Sequence, residues 1–166
     1  MKNLSQTKGF TLIELVVVIV ILGILAATAA PKFIDLTGDA KKSAMEGVQG
    51  TIESAVSMVY AKALIDSKTS GETTIMLDSV YYSLKNGYPT ALGKGSKAGD
   101  TADNAKGILG LIDIDADDFN TTEGEAEPLI IQYDGSTGDT CRLTYTSSTG
   151  AGKRPVIDVS EFANCK

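Results

Sequence analysis

The chain contains no histidine and no tryptophan. Without histidine it lacks the side chain best suited to proton transfer near neutral pH, and the commonest zinc ligand. His-based triads and zinc-hydrolase centres are therefore excluded. Positive charge is also in short supply. Lys and Arg number 15 against 21 Asp and Glu, a net charge of -6. A surface that acidic repels nucleic-acid phosphates, so no nucleic-acid partner is expected. Cysteine is limited to Cys141 and Cys165, both near the C-terminus. An even pair downstream of a membrane-targeting segment fits one disulfide in an oxidising compartment. Two buried free thiols are the alternative.

What the chain does have is one long apolar run. Its 166 residues make room for about one globular domain. The stretch from Leu15 to Pro31 carries no charge over 17 residues, and Phe10 to Ala30 holds a single ionisable group in 21. A helix of that length spans roughly 30 Å, the thickness of a bilayer's hydrocarbon core. In lipid the backbone must satisfy itself, which imposes a helix despite the many Val and Ile. Lys2 and Lys8 precede the run. The positive-inside rule then keeps the N-terminus in the cytoplasm and sends the rest across.

A secretory signal peptide and a plain signal anchor both compete for this segment. A signal peptide has a shorter apolar core, and Pro31 directly after the small residues Ala29 and Ala30 makes an awkward cleavage site. Neither accounts for Glu14. An unpaired acid in a membrane helix costs a few kcal/mol. Glu14 either favours the helix N-terminus through the macrodipole, or awaits a cation on another chain.

The string Lys8-Gly9-Phe10-Thr11-Leu12-Ile13-Glu14-Leu15 resembles the type IV prepilin signature. The resemblance implies cleavage between Gly9 and Phe10 by a prepilin peptidase, which also N-methylates Phe10. It implies that Glu14 pairs with the N-terminal ammonium of a neighbouring subunit during assembly. Loss of Lys2 and Lys8 with such a leader takes the charge from -6 to -8. Ala30-Pro31-Lys32-Phe33, and more loosely Asn86-Gly87-Tyr88-Pro89, look most like the mannose-sensitive haemagglutinin branch of type IVa pilins. That branch implies a surface pilus used in attachment and biofilm formation. Cys141 and Cys165 match the family's C-terminal disulfide loop. Such a bond contributes roughly 3.5 kcal/mol in the chain-entropy model.

Beyond Pro31 an amphipathic helical pattern continues. Phe33, Leu36, Ala40, Ala44, Val48, Ile52, Val56, Val59 and Ala63 recur at spacings of three or four. Pro31 either ends the first helix or kinks a continuous one. The pattern favours continuation to about Asp66, with a kink at Pro31. Downstream, Thr73–Leu77 and Val80–Leu84 read as short strands or turns. Asn86-Gly87-Tyr88-Pro89 reads as a turn, Leu92–Asp103 as a loop, and Ala105–Ile112 as a short helix capped by Asp103 or Asn104. Leu129–Tyr133, Cys141–Thr146 and Pro155–Val159 read as strands.

The expected fold is α+β. A long N-terminal helix, hydrophobic in its protruding half and amphipathic in its second, packs on a C-terminal antiparallel sheet. The expected segments are a leader at 1–9, a membrane or fibre-core half at 10–31, an amphipathic half at 32–66 and a head at 67–166. Gly93-x-Gly95 lacks the strand and helix a dinucleotide site needs. Asp113–Asp118 alternates carboxylates as a calcium loop does, but its sixth position is Asp118 and its twelfth Gly124. It reads as a solvated acidic loop. No catalysis, cofactor or metal is expected. The expected function is a pilus subunit, a homo-oligomer in a helical filament. Its partners are the inner membrane, the peptidase and the pilus assembly machinery. A pseudopilin of a type II secretion system is the alternative.

Overall fold

The structure is a computed structural model that describes residues 9–93, 105–122 and 127–165, without the side chains of residues 30–35. The chain divides into two compact units, Met1–Thr37 and Gly38–Lys166. One helix, α1, runs Leu12–Ile65 over 54 residues. The kink expected at Pro31 and the packing of Phe33 fall on side chains outside the described residues.

In the second unit α1 has one buried face. Gly38, Met45, Val48, Ile52, Ala55, Val56, Val59 and Ala63 are buried at helical spacing. The seam differs at its start from the one expected. Leu36 is exposed, Ala40 is exposed and Ala44 is half-buried, while Met45 is fully covered. At about 100° per residue Met45 stands in line with the buried Ile52 and Ala63, whereas Ala44 and Ala40 fall about 100° and about 140° away from it. Ser67 ends the helix in the left-handed region at φ 55. Its N–H donates to Leu64 O at 3.2 Å, and Lys68 N–H donates to Ala63 O at 2.8 Å. This crossed pair is the Schellman closure, here with Ser where Gly is the usual residue. A Lys62–Asp66 ion pair at 2.8 Å brackets the same turn.

Among the described residues the strands of the antiparallel head form two sheets. The first comprises β1 (Glu72–Leu77), β2 (Val80–Lys85) and β3 (Tyr88–Pro89). Its two hairpins pair Leu77 with Val80 and Lys85 with Tyr88. Both two-residue turns have positive φ throughout: Asp78 at 46 and Ser79 at 68, then Asn86 at 56 and Gly87 at 85. Such turns match the twist of the strands they join. So Asn86-Gly87 is the turn, and Tyr88–Pro89, expected to belong to it, is already a strand. Gly87 also lies against Tyr60, since a Cβ there would sit 3.2 Å from its ring. Tyr60 stacks on Tyr88 at 4.3 Å.

The second sheet orders β4 (Phe119–Thr121), β5 (Leu129–Tyr133), β6 (Arg142–Thr146) and β7 (Val156–Asp158). Leu129, Ile131, Leu143 and Tyr145 alternate inward and meet Met45, Val48, Ile52 and Val56 of α1 in one core. A smaller core joins Val59 and Ala63 to Ile75, Tyr82 and Leu84 of the first sheet.

Polar bonds join the two sheets. The Tyr145 hydroxyl donates to Pro89 O at 2.7 Å. Ala91 N–H donates to Ser147 Oγ at 2.8 Å, and Ser147 Oγ in turn donates to Glu127. Asn86 Nδ2 donates to Ser148 Oγ at 3.2 Å. Buried polar groups are costly unless paired, so these contacts fix how the sheets meet.

Ala105–Ile112 is not a regular helix. Only Ile108–Leu111 turns, as a four-residue 3-10 helix, and Lys106 forms a parallel bridge with Tyr82. The caps proposed at Asp103 and Asn104 lie outside the described residues. Gly107 and Gly110 weaken a helix here. A Cβ at Gly107 would also sit 2.7 Å from the Leu92 carbonyl carbon, so this backbone is held for close approach.

Candidate functional site

Gly9, Phe10 and Thr11 precede α1 without regular structure, and the Phe10 side chain is 93% exposed. Helix N-termini leave four N–H groups without intrahelical partners. Thr11 and Glu14 supply reciprocal ones. Glu14 Oε2 accepts from Thr11 N–H and from Thr11 Oγ1–H, each at 2.8 Å. Thr11 Oγ1 accepts from Glu14 N–H at 3.3 Å, and Thr11 O accepts from Leu15 N–H at 3.3 Å. This is a capping box. Reading Glu14 from the sequence only through the macrodipole or a distant cation missed Thr11. The Thr-x-x-Glu spacing before an apolar run was the signal that carried it.

The helix that follows is apolar all round. Leu12–Ala29 has a mean hydropathy of 2.8 over 18 residues and none of it is buried within the chain. Ile13 is 71% exposed and Leu25 57%. An apolar surface this continuous marks contact with lipid or with other protein. Its one hydroxyl, on Thr28, is satisfied within the helix, donating to Leu25 O at 3.0 Å.

Cys141 and Cys165 are joined by a disulfide, Cα to Cα 4.4 Å. The bond fastens the C-terminal 3-10 helix, Ser160–Asn164, beside the start of β6. Phe162 of that helix is buried in the main core, and Cys141 N–H donates to Glu161 O at 3.2 Å. Ser160 N–H donates to Asp158 Oδ1 at 2.9 Å, which holds the Asp158 carboxyl below its ordinary range.

The structure thus brings Gly9, Phe10 and Glu14 together at one helix start, and Cys141 and Cys165 in one bond. Among the described residues no group of three or more Cys, Asp or Glu is arranged to hold a metal. In the acidic stretch, Asp115 Oδ1 accepts from Asp117 N–H, as in an ordinary Asx turn. A shallow cleft of about 200 Å³ lies beside it, lined mainly by Leu109, Ile112, Ile114 and Phe119. The Gly93-x-Gly95 string runs outside the described residues.

Residues 4–30 match the family model of the prokaryotic N-terminal methylation motif. The chain is 46% identical over 63 residues to the type IV narrow pilus major component of Thermus thermophilus, covering 38% of this chain and 51% of that one. It is 37% identical over 71 residues to the type IV major fimbrial protein of Dichelobacter nodosus, covering 43% of each. It is 36% identical over 74 residues to a fimbrial protein of Pseudomonas aeruginosa, covering 42% of this chain and 47% of that one. The chain spans about half the length of the curated relatives it matches. No solved structure matches it. The similarity lies in the N-terminal part of the chain, where residues 4–30 carry the methylation motif. There the chain is similar to type IV pilus and fimbrial proteins.

Proposed function

We propose that this chain is the structural subunit of a type IV pilus, made as a membrane-anchored precursor and assembled through α1 into a surface filament. The observation that carries this is the N-terminal segment. The methylation motif at 4–30 takes in an apolar helix, Leu12–Ala29, that the chain itself leaves uncovered. A soluble enzyme has no use for such a helix. A filament of repeated subunits buries it.

A prepilin peptidase cuts between Gly9 and Phe10 and methylates the new N-terminus. Before assembly the leader lies in the cytoplasm, residues 10–31 lie in the inner membrane, and the part beyond 66 lies outside it. On entry to the fibre, Glu14 pairs with the Phe10 ammonium of an adjacent subunit. A carboxylate and an ammonium are each costly in an apolar core and tolerable together. Helix bending at Pro31 accommodates packing. The heads then present one surface many times, and many weak contacts give avidity. Within the family we favour the mannose-sensitive haemagglutinin branch, and with it surface attachment and biofilm formation. Ala30-Pro31-Lys32-Phe33 and Asn86-Gly87-Tyr88-Pro89 support it. The type II secretion pseudopilin is disfavoured, because the relatives are pilus and fimbrial proteins.

Mass spectrometry of material sheared from intact cells is the test. It is expected to show a chain beginning at N-methylated Phe10 with its cysteines oxidised. A native chain that keeps its first nine residues, or one never released by shear, would sink the reading.

A further inference from the structure

The second sheet carries opposite charges at diagonally opposite corners. Its order, β4-β5-β6-β7, makes β4 and β7 its two edges, and every neighbouring pair is antiparallel. Phe119 at the start of β4 faces Tyr133, and Val156 at the start of β7 faces Thr146. Between them β5 and β6 pair Gln132 with Arg142 at one end and Leu129 with Tyr145 at the other. The two starts therefore lie at opposite ends of the strands as well as on opposite edges. The stretch leading into β4 holds four exposed carboxylates, Asp113, Asp115, Asp117 and Asp118. Exposed Lys153 and Arg154 lead into β7. Arg154 donates to Ser57 Oγ at 3.4 Å, and neither cation has a carboxylate partner among the described residues. The acidic corner opens onto the cleft of Leu109, Ile112, Ile114 and Phe119. The basic corner carries an uncovered apolar side chain, Val156, 57% exposed. Building on the pilus-subunit reading, we infer that the basic corner of one head docks on the acidic corner of a second copy, Val156 against the cleft and Lys153 and Arg154 among its carboxylates.

Charge selects this pairing. Acid on acid, or base on base, would set like charges together, which an interface disfavours strongly. Because the corners lie on opposite edges, a neighbour beside one edge meets only one of them. Each copy then has its basic corner engaged by one neighbour and its acidic corner by another. A contact between unlike patches does not close on itself as a two-fold pair does, and it can propagate without end. Since the corners also sit at opposite ends of the strands, each step moves along the strands as well as across them. An array built this way rises as it grows. The cleft, about 200 Å³, is small for a stand-alone interface. The contact therefore fixes the register of the heads, while the uncovered helices of the pilus-subunit reading supply the burial.

The first test treats filaments sheared from wild-type cells with a carbodiimide, which joins a lysine amine to a carboxylate with net loss of water. Peptide masses are expected to show Lys153 linked to Asp113, Asp115, Asp117 or Asp118. The edges stand three strand spacings apart, about 14 Å, so a direct amide between these corners reports two copies. The linked yield is expected to fall several-fold between about 0.05 M and about 0.5 M salt. The second test reverses the charges in pilus-forming cells. Lys153→Glu with Arg154→Glu is expected to lower the sheared filament yield about ten-fold, and Asp113→Lys with Asp117→Lys to do the same. All four substitutions together restore opposite signs, and the yield should return to within about two-fold of wild type. These side chains are exposed, so every variant is expected to melt as wild type does in detergent-held full chain. Wild-type filaments in which Lys153 links to none of the four aspartates would overturn the contact alone. So would reversed charges at wild-type yield, or a four-site variant as poor as either pair. A wild-type chain neither cut after Gly9 nor released by shear would instead remove the pilus reading, and this contact with it.

Discussion

One helix carries two kinds of surface. Over Leu12–Ala29 α1 is apolar on every side and none of it is covered by the chain. From Gly38 to Ala63 it buries only a seam, and its other faces carry Lys42, Glu46, Gln49 and Glu53. The backbone rule is the same in both halves, and what differs is the partner each was written for. A helix hydrophobic all round needs an apolar surround on all sides, whereas an amphipathic one needs a single neighbour. The second half finds that neighbour in its own sheets. The first half has no such neighbour among the described residues.

That contrast is open to attack by paired substitutions. Ile52 is fully buried between α1 and the sheets. Ile52→Ala is expected to destabilise the head by about 4 kcal/mol, because it removes packing and leaves a cavity. The same change at Ile19, 56% exposed in the single chain, should move head unfolding by less than about 0.5 kcal/mol. Thermal unfolding of the full chain in detergent measures both. Equal effects would erase the distinction between the two halves. Next in size is the disulfide. Replacing Cys141 and Cys165 together by Ala should lower head stability by about 3.5 kcal/mol, since the bond spans a separation of 24 residues. Calorimetry should show this loss with the helical content of residues 12–29 unaltered by circular dichroism. Smallest is the junction itself. Ser67→Gly relieves a left-handed backbone and is expected to stabilise the head by about 1 kcal/mol. A destabilisation in the same denaturation assay would show that Ser67 does more than close the helix.

How much of this was legible depended on the length of each signal. The helix could be read because its pattern persists through many turns. The strands at Leu129–Tyr133 and Arg142–Thr146 could be read because branched and aromatic residues run together between Gly-rich connectors. The start of the helical seam was hidden because Ala40 and Ala44 continue the spacing of three or four, although Met45, not Ala44, falls in line with Ile52 and Ala63 on the helix surface. β3 was hidden by Pro89, which signals a break although it is tolerated in a strand only two residues long. β4 was hidden because Phe119-Asn120-Thr121 is too short to alternate and sits in an acidic stretch. Its partner β5, with which Phe119 faces Tyr133, is what makes it a strand. The division into two sheets is a tertiary fact, set by contacts such as Asn86 with Ser148 that join residues far apart in sequence. At the N-terminus the acid was legible and its capping box with Thr11 was not, since a lone acid in an apolar run signals a distant partner more strongly than a hydroxyl three residues before it.

The bond from Tyr145 to Pro89 sets the head's tolerance of alkali. Burial, and then the nearby Glu127 carboxylate, push this phenol's ionisation well above its ordinary value. In the unfolded chain the same group ionises near its usual value of about 10. A group whose pKa is raised on folding stabilises the native state fully below that point and gives up its contribution as hydroxide rises beyond it. The clasp between the sheets is thus indifferent to a mildly basic medium. It gives way in strong base, when the solvent draws the phenolic proton from the unfolded chain.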